Sequence, residues 1–331
     1  MRAIHAYVQQ RRQFYHPFIQ VPKMNVASLQ GRDLLSMADL SADELRGLLD
    51  LAAAMKAGKV NLRCNKVLGL LFQKASTRTR VSFTVAMYQL GGQVLDLNSS
   101  VTQVGRGEPT IDTARVLDRY LDVLAIRTFE QQELETFASY AKIPVINALT
   151  DLEHPCQVLA DLQTVKEQFG QLDGLTLTYV GDGNNMANSL MLGCALVGMN
   201  VRIAAPSGYE PDVAIAQRAT EIAVSSQVLV TQDPIEAVRG AHVIYTDVWA
   251  SMGQEDLAAG RLPIFQQYQV NNQLLSHADE KAIVLHCLPA HRGEEITDEV
   301  MEGSKSLVWD QAENRLHAQK ALLASLLGAI A

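Results

Sequence analysis

Residues 72–80 read Phe-Gln-Lys-Ala-Ser-Thr-Arg-Thr-Arg, and an apolar run that starts at Val67 leads directly into them. Short apolar runs of this kind are typical of buried strands in parallel sheets. Apolar residues then recur at helical spacing from Val81 to Leu90. The stretch therefore lies at the turn between a strand and the start of a helix.

This turn concentrates hydroxyl and guanidinium groups. Helix N-termini have unpaired N–H groups and a partial positive charge, which makes them sites for phosphate. Ser76, Thr77 and Thr79 add hydroxyl donors, and Arg78 adds a planar fork that fits phosphate oxygens. We therefore predict phosphate binding here; the alternative is an N-capping Ser or Thr beside two solvated arginines. The glycines and lysine of a Walker loop are absent from the sequence.

Strands and helices alternate along most of the chain. Strands are predicted at 66–73, 93–98, 122–128, 143–147, 175–181, 200–205, 227–231, 242–247 and 283–288. Helices are predicted at 77–90, 110–120, 131–141, 155–169, 185–198, 211–223 and 234–239. Such alternation indicates parallel sheets with helices on both faces. The prediction is an α/β fold of two doubly wound domains, each with a central parallel sheet flanked by helices, joined by interdomain helices.

A chain of 331 residues is long enough for two domains. We place the first domain at 28–160 and the second at 161–311. We expect an amphipathic C-terminal helix at 312–331, with the basic Arg315 at its start, to pack back on the first domain. Residues 1–27 carry arginines and no acidic residue, which predicts a disordered extension or, alternatively, an organellar targeting segment.

Composition excludes several classes of partner. A net charge of −8 argues against nucleic acid as the main partner. No apolar run reaches the ~20 residues that a membrane-spanning helix needs, so we expect no membrane association. The four cysteines lie far apart and form no CxxC pair, which is typical of free thiols in a reducing compartment. We therefore expect a cytoplasmic protein.

Polar clusters follow many of the predicted strands. Ligands of doubly wound sheets bind beyond the carboxyl ends of the strands, so these clusters predict one cleft between the two domains. Arg127 ends the strand at 122–128 and is a candidate second phosphate ligand. His154 and Gln157 open the helix that starts at Pro155, and they suit a carbonyl and an amide. The alternatives are a surface arginine and a structural histidine.

The second domain offers two further candidate turns. Gly181-Asp-Gly-Asn-Asn-Met186 resembles a dinucleotide-binding turn, but the third glycine is missing and no acidic residue ends the next strand. An NAD site is therefore disfavoured, and the turn instead offers Asn185 to a polar substrate. The stretch Asp247-Val-Trp-Ala-Ser-Met-Gly253 follows another strand, and its aspartate suits an ammonium group; a helix cap or simple turn is the alternative.

The last predicted strand ends in His286-Cys-Leu-Pro289. Cys287 together with His286, His291 and Cys156 suggests zinc, but the spacing matches no four-ligand pattern, so we predict no metal. A thiol nucleophile is a further possibility for Cys287.

These stretches together resemble the aspartate/ornithine carbamoyltransferase family, over essentially the whole chain from about residue 28. Four motifs carry the resemblance: Ser-Thr-Arg-Thr-Arg at 76–80, Asp-Thr-Ala-Arg-Val at 112–116, His-Pro-Cys-Gln at 154–157 and His-Cys-Leu-Pro at 286–289. The Ser-Met-Gly segment at 251–253 resembles the loop of members that use ornithine. The Pro-Leu-Pro-Arg-type loop of members that use aspartate is not found.

The resemblance implies that the first domain binds carbamoyl phosphate and the second binds L-ornithine. The catalytic residues it implies are Arg78, Arg127, His154, Asp247 and Cys287. The implied ligands of carbamoyl phosphate are Ser76, Thr77, Arg78, Thr79, Gln103, Arg127, His154, Gln157, Cys287, Leu288 and Arg315. The implied ligands of ornithine are Asn185, Asp247, Ser251 and Met252. It also implies no cofactor, and a homotrimer or larger trimer-based assembly in which the loop at Gln103 reaches a neighbouring subunit's site.

The implied reaction transfers a carbamoyl group from carbamoyl phosphate to the δ-amine of ornithine, giving citrulline and phosphate for arginine biosynthesis. We expect Thr79, Arg127 and His154 to stabilise the carbonyl oxygen. Asp247 and Cys287 are both candidates for accepting the amine's proton. We expect carbamoyl phosphate to bind first and domain closure to align the substrates. The alternatives are a carbamoyltransferase for another amine, an NAD-dependent dehydrogenase and a non-catalytic binding relative.

Overall fold

The computed structural model describes residues 27–98, 103–250 and 258–330 of the chain. Its strands form two wholly parallel sheets, one of four strands and one of five. The first sheet contains β1 (Val67–Phe72), β2 (Gln93–Asn98), β3 (Val123–Arg127) and β4 (Val145–Leu149). The second contains β5 (Thr176–Val180), β6 (Asn200–Ala204), β7 (Val228–Thr231), β8 (Val243–Thr246) and β9 (Ile283–His286). The predicted α/β fold with two parallel sheets is confirmed.

Helices connect and cover these strands. Those of the first half are α1 (Ala42–Lys56), α2 (Arg78–Gln89), α3 (Thr110–Leu117), α4 (Gln131–Tyr140) and α5 (Pro155–Phe169). Those of the second half are α6 (Asn185–Leu196), α7 (Val213–Ile222), α8 (Pro234–Val238), α9 (Ala258–Phe265), α10 (Asn272–Leu275), α11 (Asp298–Met301) and α12 (Val308–Leu326). In the part of the chain that is described, no helix has the length and apolar character needed to cross a bilayer.

Each sheet reverses its strand order at one point. The first sheet has the order β2-β1-β3-β4, so the chain leaves β1 toward one side and later returns to place β3 on the other. The second has the order β7-β6-β5-β8-β9, which puts the same reversal between β5 and β8. A crevice opens beyond the carboxyl ends of the strands at such a reversal, and ligands of doubly wound sheets bind there.

Buried side chains cover both faces of the first sheet because alternate residues of a strand point to opposite sides. Leu70 belongs to a large apolar cluster that includes α1, α5 and α12, whereas its neighbour Leu71 packs with Leu134 and Phe137 of α4. The large cluster continues through α5 into the second sheet, where it includes Tyr179 of β5. The two halves therefore share apolar packing through α5.

Local sequence signals set the ends of α1 and α5. Ser41 accepts a hydrogen bond from the backbone N–H of Glu44, whose carboxylate accepts in turn from Ser41 N, so a capping box begins α1. Pro155 occupies the first position of α5, where its missing N–H has no intrahelical acceptor to lose. Gly170 ends α5 with a φ of 76°, a left-handed conformation that favours glycine.

The prediction for the C-terminal helix was wrong at its start. The helix begins at Val308, so Arg315 lies two turns inside it rather than at its first turn. Val308 and Gln311 are buried, and tertiary packing therefore extends the helix over residues that carry no capping signal. The sequence analysis also missed α9, which contains Pro263, a residue that usually argues against a helix.

Candidate active site

A cavity of about 750 Å³ lies where the carboxyl ends of the two sheets face each other. Its walls come from the carboxyl ends of β1, β3, β4, β5, β6, β8 and β9 and the segments that follow them, together with residues of α9 and α12. The proposed site residues that line it are Ser76, Thr77, Arg78, Thr79, Arg127, His154, Gln157, Asn185, Asp247, Cys287, Leu288 and Arg315. The fold thus brings together residues that are up to 239 positions apart, from Ser76 to Arg315.

Of the remaining proposed residues, one is described but does not line the cavity, and two lie outside the described part of the chain. Gln103 lies in a 3-10 turn at Gln103–Arg106; it is exposed and is not among the lining residues. Ser251 and Met252 lie outside the described residues.

The wall formed by the first sheet contains the N-terminus of α2. Thr77 is the N-cap residue, and its side chain makes no capping hydrogen bond. Arg78, the first residue of α2, donates from Nη2 to the backbone carbonyl of Leu288, at 2.7 Å. Leu288 has a φ of 60°, which is uncommon for a residue with a side chain. Arg78 therefore bridges the first sheet to the segment after β9.

Arg315 reaches the same wall from α12. It is 2% exposed, and its Nη2 donates to the hydroxyl oxygen of Thr79 at 3.0 Å. Its Nη1 donates to the amide oxygen of Gln157. Two protein acceptors thus hold the guanidinium, so its orientation is fixed by Thr79 and Gln157 before any ligand arrives.

Burial and mutual repulsion change the titration of this wall. Burial lowers the pKa of Arg127 to about 10, and the charges of Arg315 and Arg78 add to that effect. Burial and the charges of Arg315, Arg127 and Arg78 lower the pKa of His154 well below its usual range. Arg127 therefore remains a cation at neutral pH, whereas His154 is a neutral imidazole with one N–H to donate. This wall is suited to an anion that also carries a polar acceptor.

The opposite wall is organised around a carboxylate. Asp247, just after β8, accepts a hydrogen bond from the Cys287 thiol at Oδ1, with a sulfur–oxygen distance of 2.9 Å. Its other oxygen, Oδ2, accepts from Nδ2 of Asn184 at 3.0 Å. The neighbouring Asn185 donates from Nδ2 to the backbone carbonyl of Thr150 at 2.7 Å. Both carboxylate oxygens of Asp247 are thus held by neutral donors, which leaves its negative charge uncompensated by these two contacts.

The surroundings of Cys287 disfavour both a nucleophilic role and a metal-binding role for its thiol. Burial and the adjacent carboxylate of Asp247 raise the pKa of Cys287 well above its usual range, so it is a thiol at neutral pH. A protonated thiol is a poor nucleophile and a poor metal ligand. Asp247, His286 and Cys287 place possible ligand atoms within 4.8 Å of one another. However, His286 Nε2 bonds to Glu295 and its Nδ1 accepts the N–H of Leu288, both at 2.9 Å. A metal there would have to displace these bonds.

The dinucleotide alternative meets a steric obstacle. A side chain at Gly183 would lie 2.2 Å from the backbone nitrogen of Pro211, because the 209–211 backbone packs directly against this glycine. The turn after β5 is therefore filled by protein backbone at the glycine, rather than opened for a pyrophosphate.

Several lining residues were missed by the sequence analysis. The ammonium of Lys74 pairs with the Asp151 carboxylate and lies 4.1 Å from the centre of the Phe129 ring. Arg261, from the unpredicted helix α9, donates to Asp182 Oδ2 at 2.7 Å. Burial raises the pKa of Asp182 to about 6, although Arg261 opposes that shift. Lys74 lies two residues before Ser76, so its position could have been predicted from the phosphate turn. No sequence signal pointed to Arg261.

Two domain models of one family match the chain. The model described as "Aspartate/ornithine carbamoyltransferase, carbamoyl-P binding domain" matches residues 32–167. The model described as "Aspartate/ornithine carbamoyltransferase, Asp/Orn binding domain" matches residues 173–326. Together they extend over most of the described chain.

Individual relatives give the same result. The ornithine carbamoyltransferase of Nostoc punctiforme is 73% identical over 305 residues, which covers 92% of this chain and 100% of the relative. That of Synechocystis sp. is 66% identical over 308 residues, covering 93% and 100%. The crystal structure of ornithine carbamoyltransferase from Gloeobacter violaceus matches with a TM-score of 0.83 at 61% identity, covering 90% of this chain and 100% of that one. The enzyme from Pyrococcus furiosus matches with a TM-score of 0.87 at 50% identity, covering 92% and 99%.

Proposed function

The chain belongs to the aspartate/ornithine carbamoyltransferase family, and we propose that it transfers the carbamoyl group of carbamoyl phosphate to the δ-amine of L-ornithine. The products are L-citrulline and phosphate. One observation carries this proposal: a single cavity has a wall of buried guanidinium groups and a helix N-terminus facing a wall organised around Asp247. An anionic donor and an acceptor with an ammonium group fit such a cavity by charge.

In this proposal carbamoyl phosphate binds against the N-terminus of α2. The backbone N–H groups of the 76–79 turn and the hydroxyls of Ser76 and Thr77 receive the phosphate oxygens, and the charge of Arg78 neutralises the dianion. The unused hydroxyl of Thr77 supports this role, because it makes no capping bond. Gln157, Leu288 and Arg315 complete the shell around the donor; Arg315 is already oriented by protein acceptors, which lowers the cost of organising the site.

Negative charge develops on the carbamoyl oxygen as the amine attacks, and three groups are proposed to receive it. The Thr79 hydroxyl accepts from Arg315, so its own proton is left to donate to the substrate. The neutral ring of His154 has one N–H, and Arg127 remains charged at neutral pH. Fixed donors of this kind stabilise a tetrahedral intermediate without reorganising. The C–O bond to phosphate then breaks, the attacking nitrogen passes its second proton to the departing phosphate, and phosphate leaves into the Arg78 subsite.

Ornithine is proposed to bind through Asn185, Asp247, Ser251 and Met252. Its δ-ammonium must lose a proton to attack, because a free amine of this type is charged near neutral pH. We assign the proton to Asp247 rather than to Cys287, since Cys287 is already protonated and donates to Asp247. Cys287 then serves to orient the carboxylate.

The wider organisation is also part of the proposal. We place the carbamoyl-phosphate domain at 28–160, with the C-terminal helix packed against it, and the ornithine domain at 161–311. The contacts of α12 with α2 and α5 support that packing. A trimer, in which Gln103 of one subunit completes a neighbouring site, fits the exposure of Gln103. The edge strand β2 exposes Leu95, and the adjacent helix α2 exposes Val81 and Tyr88, which offers an apolar surface for such an assembly.

We further propose a role in arginine biosynthesis in the cytoplasm. All four cysteines are free, as expected in a reducing compartment.

A substrate panel tests the proposed reaction. Product formation from carbamoyl phosphate is measured with ornithine, putrescine, N-acetylornithine and aspartate as acceptors. We expect turnover with ornithine to exceed turnover with each of the others by at least about 100-fold, because a site built for an ammonium and an amino-acid group rejects analogues that lack one of them. Comparable or greater turnover with another amine would overturn the ornithine assignment, and no turnover with any of them would overturn the transferase assignment.

A further inference from the structure

Asp161 is a buried carboxylate in the second turn of α5, and the sequence analysis gave it no role. It is 0% exposed and does not line the cavity. Its Oδ1 accepts two hydrogen bonds, from Nε2 of Gln157 at 2.8 Å and from Nε2 of Gln311 at 2.7 Å. Oδ1 is the acceptor in both contacts, so both glutamines must turn their NH₂ groups toward it.

The orientation of each glutamine determines what its other end can do. The amide oxygen of Gln157 points away from Asp161 and accepts from Nη1 of Arg315. The amide oxygen of Gln311 accepts from the backbone N–H of His286 at 2.9 Å. If either amide turned over, an NH₂ group would face Arg315 or the His286 N–H. Donor would then meet donor, and a buried acceptor would be lost.

The two glutamines lead to opposite walls of the cavity. Gln157 holds Arg315, which also donates to Thr79 in the carbamoyl-phosphate wall. Gln311 holds His286, the residue before Cys287, whose thiol donates to Asp247. Gln311 also donates from Nε2 to the hydroxyl of Tyr245 at 3.0 Å, and Tyr245 lies on β8, two residues before Asp247. One carboxylate oxygen is therefore the common acceptor of two chains of hydrogen bonds.

We propose that Asp161 is a positioning residue that fixes the amide orientation of Gln157 and Gln311 and so couples the two walls of the active site. This inference rests on the proposed function, because it assigns the walls to carbamoyl phosphate and ornithine. Asp161 contacts neither substrate; it acts through Arg315 on one side and through the His286–Leu288 segment on the other. Loss of the shared acceptor is expected to disorder both.

Three substitutions of the complete chain separate positioning from packing. Asp161→Leu removes the acceptor, whereas Asp161→Asn keeps an amide oxygen that still accepts from both glutamines. Thr164→Val is the matched control: Thr164 is buried on α5, one turn from Asp161, and its hydroxyl accepts from Nδ2 of Asn314 on α12 at 2.9 Å. This control loses a buried α5–α12 hydrogen bond that leads to neither wall.

Carbamoyl phosphate affinity is measured by calorimetry, and kcat and KM by citrulline formation. We expect Asp161→Leu to weaken carbamoyl phosphate binding and to lower kcat, each by about tenfold or more, the typical effect of a lost hydrogen bond to a charged group. Asp161→Asn and Thr164→Val should stay within about threefold of the wild type. Equal constants for Asp161→Leu and Thr164→Val would overturn the proposal, as would a loss in Asp161→Asn as large as in Asp161→Leu.

Gln311→Met tests the chain of hydrogen bonds that runs from Asp161 through Gln311 to His286. It also tests the proposed coupling if Asp161→Leu does not fold. It removes the link to His286 while Asp161 and Gln157 remain. We expect a higher KM for ornithine and a lower kcat, with a smaller loss of carbamoyl phosphate affinity than in Asp161→Leu, because Arg315 keeps its acceptor Gln157 while only Leu288 of the donor shell is affected. Wild-type kinetics in this variant would overturn the coupling. Each variant is compared with the wild type, so failure of the proposed function would show in the wild type itself, as absence of citrulline or of carbamoyl phosphate binding.

Discussion

The two walls of the cavity carry opposite charge. The wall of the first sheet gathers cations, Arg78, Arg127 and Arg315, around a helix N-terminus. Burial, and secondly the repulsion between these like charges, lowers the pKa values of Arg127 and His154. The wall of the second sheet instead holds the carboxylate of Asp247 with neutral donors from Cys287 and Asn184. Each wall is electrostatically incomplete, and each lacks the charge that one substrate supplies.

The walls also differ in how they are built. The cationic wall comes from strand ends, a helix start and the long helix α12, and protein acceptors orient its arginines in advance. The carboxylate wall includes Asp247, Val248 and Ala250, which follow β8, and Arg261 of α9. We infer that the first wall forms a preorganised site for carbamoyl phosphate and that the second determines which amine substrate binds.

The largest effect is expected at the cationic wall. Arg78→Ala should lower kcat by about 100-fold or more, because it removes a charge and a donor where phosphate charge develops. Arg80→Ala is the matched control from the same Thr-Arg repeat: Arg80 pairs with Asp96, lies 4.9 Å from the Phe72 ring centre and does not line the cavity. Near-normal kcat and KM for carbamoyl phosphate in Arg78→Ala would contradict the assignment of this wall.

A smaller and selective effect is expected at the acceptor wall. Ser251→Ala should raise KM for ornithine by about tenfold, the value of one lost hydrogen bond to a charged or polar substrate group. KM for carbamoyl phosphate should change far less. Ser276→Ala, on the exposed surface of the same domain, serves as control and should leave both constants unchanged. An equal rise in both KM values for Ser251→Ala would remove the 247–253 segment from acceptor recognition.

Cys287 lies where the walls meet, and its replacement separates an orienting role from a nucleophilic one. Cys287→Ser keeps a donor toward Asp247 and should leave kcat within about tenfold of the wild type, since one hydrogen bond of altered length is at stake. A covalent role would make the same substitution abolish turnover. Citrulline formation at saturating substrates measures this, and a fall beyond about 1,000-fold would reverse our assignment of the thiol.

The smallest effect concerns stability rather than turnover. Burial raises the pKa of Asp161 to about 7 from an ordinary value of 3.8, so the folded state binds this proton more tightly than the unfolded state. The stability that this proton contributes is fully present below about pH 4 and is lost as pH rises through 7. The Tm of the wild type should therefore fall relative to that of Asp161→Asn between pH 4 and 7. Parallel Tm curves in calorimetry would contradict the burial argument.

Much of the fold could be predicted because its signals are local. Apolar runs such as 67–72 and 123–126 are strands buried on both faces, and the polar residues that end them mark one edge of each sheet. Sheet geometry then brings these ends together, so residues as distant as Arg78 and Asp247 were predicted to share a cleft, and both line it. The specific roles of those residues stay predictions.

The features that were not predicted depend on tertiary contacts, which leave no local pattern in the sequence. Arg315 was placed at a helix start, but burial of Val308 and Gln311 begins that helix earlier. Helix α9 contains Pro263 and was not predicted, so Arg261 and its bond to Asp182 were missed as well. The sequence analysis assigned no role to Asp161, which lies inside the predicted helix at 155–169. Its two glutamine partners lie four and 150 residues away along the chain, and folding alone brings the second to it.

Calorimetric titration with each substrate class tests the division of the walls most directly. Carbamoyl phosphate is titrated alone. L-norvaline, which has ornithine's amino-acid group but no δ-amine and so cannot react, is titrated with and without saturating carbamoyl phosphate. We predict that carbamoyl phosphate binds the free protein, and that norvaline binds at least about tenfold more tightly once it is present, because the first ligand completes the cleft. Equal norvaline affinity in both titrations, or carbamoyl phosphate binding that requires norvaline, would contradict the account.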